Sequence, residues 1–167
     1  RFLTTPLSTE KHQELVRLLF AAKSFRGAFQ VLGAKDSGPV FLNSGFEEPL
    51  FVNDSGIGWI VSAEKGNRIA IDVSEKSEGA KSLQIVLAGN WTPGTPLLSQ
   101  TVMVEPEKTY RVSFAVKTKD LVTGGPPLIT VSDATSNQVL AKSENLASTS
   151  WVTMNLEFST LPGSEAV

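Results

Sequence analysis

The chain has 167 residues, 41% of them hydrophobic and 19% charged, which suits one domain with a single core and argues against extended disorder. A net charge of -2 gives no electrostatic basis for gripping a nucleic-acid backbone or an anionic membrane. With no cysteine, disulfides and thiolate metal sites are excluded, and no apolar run approaches the roughly 20 residues that span a bilayer.

Residues 1–35 read as a helical segment. Ser8 or Thr9 serves as the cap, with Glu10 in the first turn. Leu15, Val16, Leu18, Leu19, Ala22 and Phe25 follow at mixed i+3/i+4 spacing and make one apolar face. Gly27 and Gly33 interrupt or end the helix, and a second short helical turn is expected over 28–32. The only histidine, His12, falls on the polar side and is expected to be solvated. A single helix cannot bury its apolar face alone. It must pack on the rest of the chain, on a protein partner, or on an upstream helical array of the tetratricopeptide kind, although one copy establishes no period.

Asp36-Ser37-Gly38-Pro39 separates this segment from residues 40–167, where the texture becomes β. Strands are expected over 57–63 and 68–73, around a turn at Lys65-Gly66-Asn67, then over 82–88 and 98–104. The stretch 109–117 alternates cleanly, with Tyr110, Val112, Phe114 and Val116 on one face and Arg111, Ser113, Ala115 and Lys117 on the other. Strands over 128–133, 139–143 and 151–158 complete the set. About eight short strands with turn residues between them and no helical spacers indicate a sandwich or barrel. Tyr110, Phe114 and Phe158 are expected in a shared apolar interior.

Several blocks in this region resemble carbohydrate-binding modules of the galactose-binding-like kind. Asn43-Ser44-Gly45-Phe46-Glu47 resembles their "N-G-x-F-E" opening, with Gly58-Trp59 at a suitable distance. Glu78-Gly79-Ala80-Lys81-Ser82-Leu83 looks like their entry to a central strand. Ser99-Gln100-Thr101-Val102 and the run from Val104 to Phe114 resemble their "Q-x-V-x-V-x-P-G-x-x-Y-x-x-S-F" block, except that Glu107 stands where glycine is usual. Thr149-Ser150-Trp151 precedes the last strand as in that family. The resemblance implies a mainly β fold, a two-sheet antiparallel β-sandwich of jelly-roll type behind the short N-terminal helical segment, with the family's final strand missing after 161–167. It implies a fold more firmly than a ligand.

No catalytic constellation can be placed, so the chain reads as non-enzymatic. One histidine and no cysteine leave no usual zinc site, and Glu47-Glu48, adjacent on one strand, point to opposite faces rather than across a bond. Sugar recognition needs an aromatic ring face beside polar side chains. Trp91, in the polar loop Gly89-Asn90-Trp91-Thr92-Pro93-Gly94, is either such a platform or a cover over an open end of the sandwich. Trp151 falls on the face opposite Val152, Met154, Leu156 and Phe158, where Arg111, Gln84 and Asn155 would join it in a shallow binding sheet; edge packing under a loop is the other reading. Trp59 is read as core. The resemblance also implies a structural calcium, with Glu47 as the matched carboxylate and backbone oxygens near Gly79 and Lys81, although calcium wants about six to eight oxygens.

The chain begins with Arg1 rather than Met, and is read as an accessory module of a larger, exported bacterial protein that binds a polysaccharide or glycan. The alternative is a structural or protein-interaction domain attached to a helical-repeat region, contacting its partner through the N-terminal helix and binding no sugar.

Overall fold

A computed structural model describes residues 8–33, 41–50, 58–62, 67–87, 94–122 and 125–167. Helix α1 (Thr9–Ala21) opens on Ser8, whose Oγ accepts from the Lys11 amide at 3.5 Å. After a tight turn comes α2 (Phe25–Val31), which starts before the expected 28–32 and contains Gly27 rather than ending there. Gly33, at φ +77°, closes it in the left-handed conformation a helix C-terminus favours. Val16 and Ala28 form the buried centre of this hairpin, with Leu19, Phe20 and Val31 packed on them. Phe20 meets Phe25 edge-on at 5.7 Å and lies 5.9 Å from Phe29. The second helix therefore covers Val16 and Leu19 of the expected apolar face, whereas Leu18 and Ala22 stay exposed and Phe25 belongs to α2 itself.

His12 is not solvated as expected. It is half-buried, and its Nε2 donates to the Val31 carbonyl at 2.6 Å. The last carbonyls of a helix lack intrahelical donors, and the imidazole supplies one. The hairpin is also tied to the β region. The Lys23 ammonium donates to the Thr135 carbonyl, and the Arg26 amide donates to Glu165 Oε2 at 3.1 Å.

The strands are β1 (Ile60–Val61), β2 (Arg68–Asp72), β3 (Ser82–Val86), β4 (Leu98–Ser99), β5 (Thr109–Val116), β6 (Thr130–Ser132), β7 (Val139–Lys142) and β8 (Val152–Ser159). Among the described residues they pair antiparallel in four two-stranded sheets, β1–β4, β2–β3, β5–β8 and β6–β7. The mainly β class with an N-terminal helical segment is what the chain adopts. The punctuation at 36–39 and part of the 65–67 turn lie outside the described residues.

The β5–β8 pair carries the clearest pattern. Its register runs from Thr109↔Ser159 to Val116↔Val152 and keeps Tyr110, Val112, Phe114 and Val116 on the face of Met154, Leu156 and Phe158. Tyr110 stacks on Phe158 at 5.6 Å; Leu156 and Phe158 are buried, while Tyr110 and Phe114 are half-buried. Past β8, residues 165–167 form a further short pairing. These run antiparallel to 102–104 through the Met103↔Ala166 bridge and reciprocal bonds between Val102 and Val167 at 2.8 and 2.9 Å. Val102, Met103, Val104 and Ala166 are all buried there. The pairing was hidden because a short apolar tail shows no alternation of its own.

Candidate functional site

The outer face of β5–β8 is a polar ladder. Cross-strand partners on an antiparallel pair have side chains close enough to interact directly, and here three of the pairs are chemically matched, the next being Ala115↔Thr153. Arg111 donates from Nε and Nη2 to Glu157 Oε1 at 2.9 and 2.5 Å. Ser113 Oγ donates to Asn155 Oδ1 at 2.6 Å, and the Thr109 and Ser159 hydroxyls lie 3.0 Å apart. All six side chains are exposed. An open cleft of about 450 Å³ adjoins the Thr109–Ser159 end, with Gln138, Val139, Phe158 and Leu161 in its wall.

Trp151 stands at the other end of the ladder. It immediately precedes β8 and shares the parity of Thr153, Asn155 and Glu157, and it is half-buried. The structure thus brings Arg111, Asn155 and Trp151 onto one strand pair. Gln84 is held elsewhere, on β3, where its Nε2 donates to Asp72 Oδ2 at 3.2 Å. Its link to β5 is indirect. Asp72 Oδ1 accepts from the Ser74 hydroxyl at 2.6 Å and from the Ser74 amide at 2.7 Å, which holds its carboxyl below the usual range. The adjoining Glu75 pairs with the Lys117 ammonium at 2.8 Å. Trp91 lies outside the described residues. Trp59 is half-buried, stacked on Phe46 at 5.1 Å and beside Phe41 at 5.3 Å, with its indole N–H on the Asn43 carbonyl at 3.1 Å.

Glu47, Gly79 and Lys81 do come together. Glu47 Oε1 accepts from the Ala80 amide at 2.8 Å and the Lys81 amide at 3.4 Å, while the Lys81 ammonium donates to the Glu47 carbonyl. The groups of this loop that bond to the Glu47 carboxylate are N–H donors.

One buried carboxylate escaped sequence reasoning. Asp133 accepts from Thr135 N, Ser136 N and Ser136 Oγ at 3.1, 2.7 and 2.8 Å, and from Ser164 Oγ at 2.6 Å. The local part was available in Asp133-Ala134-Thr135-Ser136, a turn in which an aspartate bonds the amides that follow it. The partner 31 residues away was not.

The model of the family described as "Carbohydrate binding domain" matches residues 38–167. Among solved structures, the N-terminal CBM22-1-CBM22-2 tandem domain of Xyn10C from Paenibacillus barcinonensis is 20% identical, over 80% of this chain and 39% of that one, with a TM-score of 0.43. The chain therefore spans well under half the length of that structure. No curated protein matches it.

Proposed function

Because the chain belongs to the carbohydrate-binding domain family by the match over residues 38–167, we propose that it is a non-catalytic polysaccharide-binding module that grips its ligand across the outer face of β5–β8. The observation that carries this reading is the ladder itself. The three matched pairs span four rises of about 3.4 Å along β5, a strip about 14 Å long, on which hydroxyl, amide, carboxylate and guanidinium groups alternate. A glycan chain offers hydroxyls of both donor and acceptor character at short intervals, and such a strip answers them without desolvating a bare charge. Trp151 supplies an indole surface at one end, where the apolar C–H face of a sugar ring stacks. The cleft beside Thr109 and Ser159 gives the strip a second boundary.

In this reading the four sheet pairs belong to one jelly-roll sandwich, and the module serves a larger exported protein. The rival role, protein docking through the N-terminal helix, is less favoured because α1 and α2 bury Val16, Ala28 and Phe29 within the hairpin and are tied to the β region.

The test is retention on a panel of insoluble and soluble polysaccharides. Binding to at least one is expected, with Trp151→Ala and Asn155→Ala each weakening it about tenfold, the scale of one stacking or hydrogen-bond loss. No binding across the panel sinks the proposal. Loss with Trp91→Ala but not with Trp151→Ala moves the platform to the 89–94 loop and overturns the ladder as the site.

A further inference from the structure

At the corner where Glu47 meets residues 79–81, the polar groups already match one another. The carboxylate has two amides on Oε1, from Ala80 and Lys81. The Glu47 carbonyl is taken by the Lys81 ammonium, and the next carbonyl, that of Glu48, by Asn43 Nδ2 at 2.8 Å. Gly79 makes the approach possible. It sits at φ +68°, and a Cβ built on it would lie 2.1 Å from Glu47 Oε1. Any side chain there pushes the carboxylate off its amides.

A calcium ion needs about six to eight oxygens at roughly 2.3–2.6 Å. This corner presents N–H groups to the carboxylate and an ammonium to the neighbouring carbonyl. A divalent cation on these oxygens would displace two amides and lie against a like charge. Among the described residues no three His, Asp or Glu side chains are grouped to hold a metal. The donor set does not fit the calcium that the resemblance implies.

We infer that the Lys81 ammonium is itself the cation of this corner, fastening the segment around Glu47 to the loop that leads into β3 without a divalent metal. The charge is covalently attached, so it cannot be stripped by a chelator. The corner is also pinned from its other side, where Gln100 exchanges hydrogen bonds with the Leu42 backbone at 2.7 and 2.9 Å. Lys81 therefore closes an otherwise rigid staple.

Thermal unfolding of the whole chain in excess calcium and in excess EDTA tests this. The two midpoints should coincide. Lys81→Met should lower the midpoint by about 3–6 °C in both solutions, as loss of a charge-assisted hydrogen bond does in a domain of this size. Lys81→Arg should recover most of the loss. A midpoint raised by calcium in the unaltered protein, or a Lys81→Met variant that melts like it, overturns the inference. If Lys81→Met does not fold, titration calorimetry of the unaltered protein with calcium chloride decides: absence of saturable heat supports the assignment, and a saturable isotherm refutes it.

Discussion

Asp133 is 3% exposed, and its carboxylate joins the β6–β7 turn to the C-terminal stretch through Ser164, whose Oγ in turn accepts from the Leu161 amide at 3.0 Å. Burial alone would raise its pKa. The hydrogen bonds from Ser164, Ser136 and Thr135 favour the ionised form more strongly, and the net effect holds the carboxyl below its ordinary value. A depressed folded-state pKa contributes stability above the unfolded value of about 3.9, and that contribution is lost as pH falls through the folded value. Asp133→Ala should therefore lower the unfolding free energy at neutral pH by about 2–4 kcal/mol, since it strands several donors. Asp133→Asn should flatten the loss of stability below about pH 4. Urea unfolding at neutral and acid pH measures both, and an acid limb unchanged in Asp133→Asn would contradict the assignment. At this scale a turn is legible in sequence and its distant partner is not. Glu107 shows the legible side. It stands where the resemblance expects glycine and adopts φ +54° after Pro106, so the backbone demand survives the change of residue.

The elements divide the same way. Strand β5 and its inward set Tyr110, Val112, Phe114 and Val116 were readable because period-two alternation survives on a half-buried face. The amphipathic helix was readable too, but what covers it was not. Docking depends on Lys23 reaching Thr135 and on Glu165 capping the Arg26 amide, contacts that span more than 100 residues. These contacts imply that the hairpin and the β region unfold together. Phe29 is 3% exposed, and Phe29→Ala should cost about 3–4 kcal/mol through the cavity it leaves. All three tryptophans, Trp59, Trp91 and Trp151, lie outside the hairpin, so indole fluorescence reports the β region alone. Its midpoint should fall in step with the helical circular-dichroism signal. A fluorescence midpoint unmoved by Phe29→Ala would show the hairpin to be an independent unit.

Over the whole molecule, charge bears on ligand class in a way no single element does. The chain carries 15 lysines and arginines against 17 acidic residues, and two cations of the ladder side of β5 each have a carboxylate partner. Arg111 is bound to Glu157, and Lys117 to Glu75 at the Trp151 end. The family and the polar side of β5 were visible in the sequence, but this pairing was not, because Lys117 and Glu75 lie 42 residues apart and meet only when the β2–β3 connection reaches the end of β5. With Arg111 and Lys117 already paired, a sulfated or uronic-acid-rich chain would have to break the Arg111–Glu157 pair to gain that guanidinium. The proposed ligand is thus an uncharged polysaccharide. Hydrogen bonding and stacking are barely screened by salt, whereas attraction between unpaired charges weakens as the Debye length shrinks from about 14 Å near 0.05 M to about 4 Å near 0.5 M. Affinity for the retained polysaccharide should change less than about twofold over that range. A steep decline with salt would mean that Arg111 leaves Glu157 to meet an anionic glycan, and the ladder would then act as a charge-exchange site rather than a neutral strip.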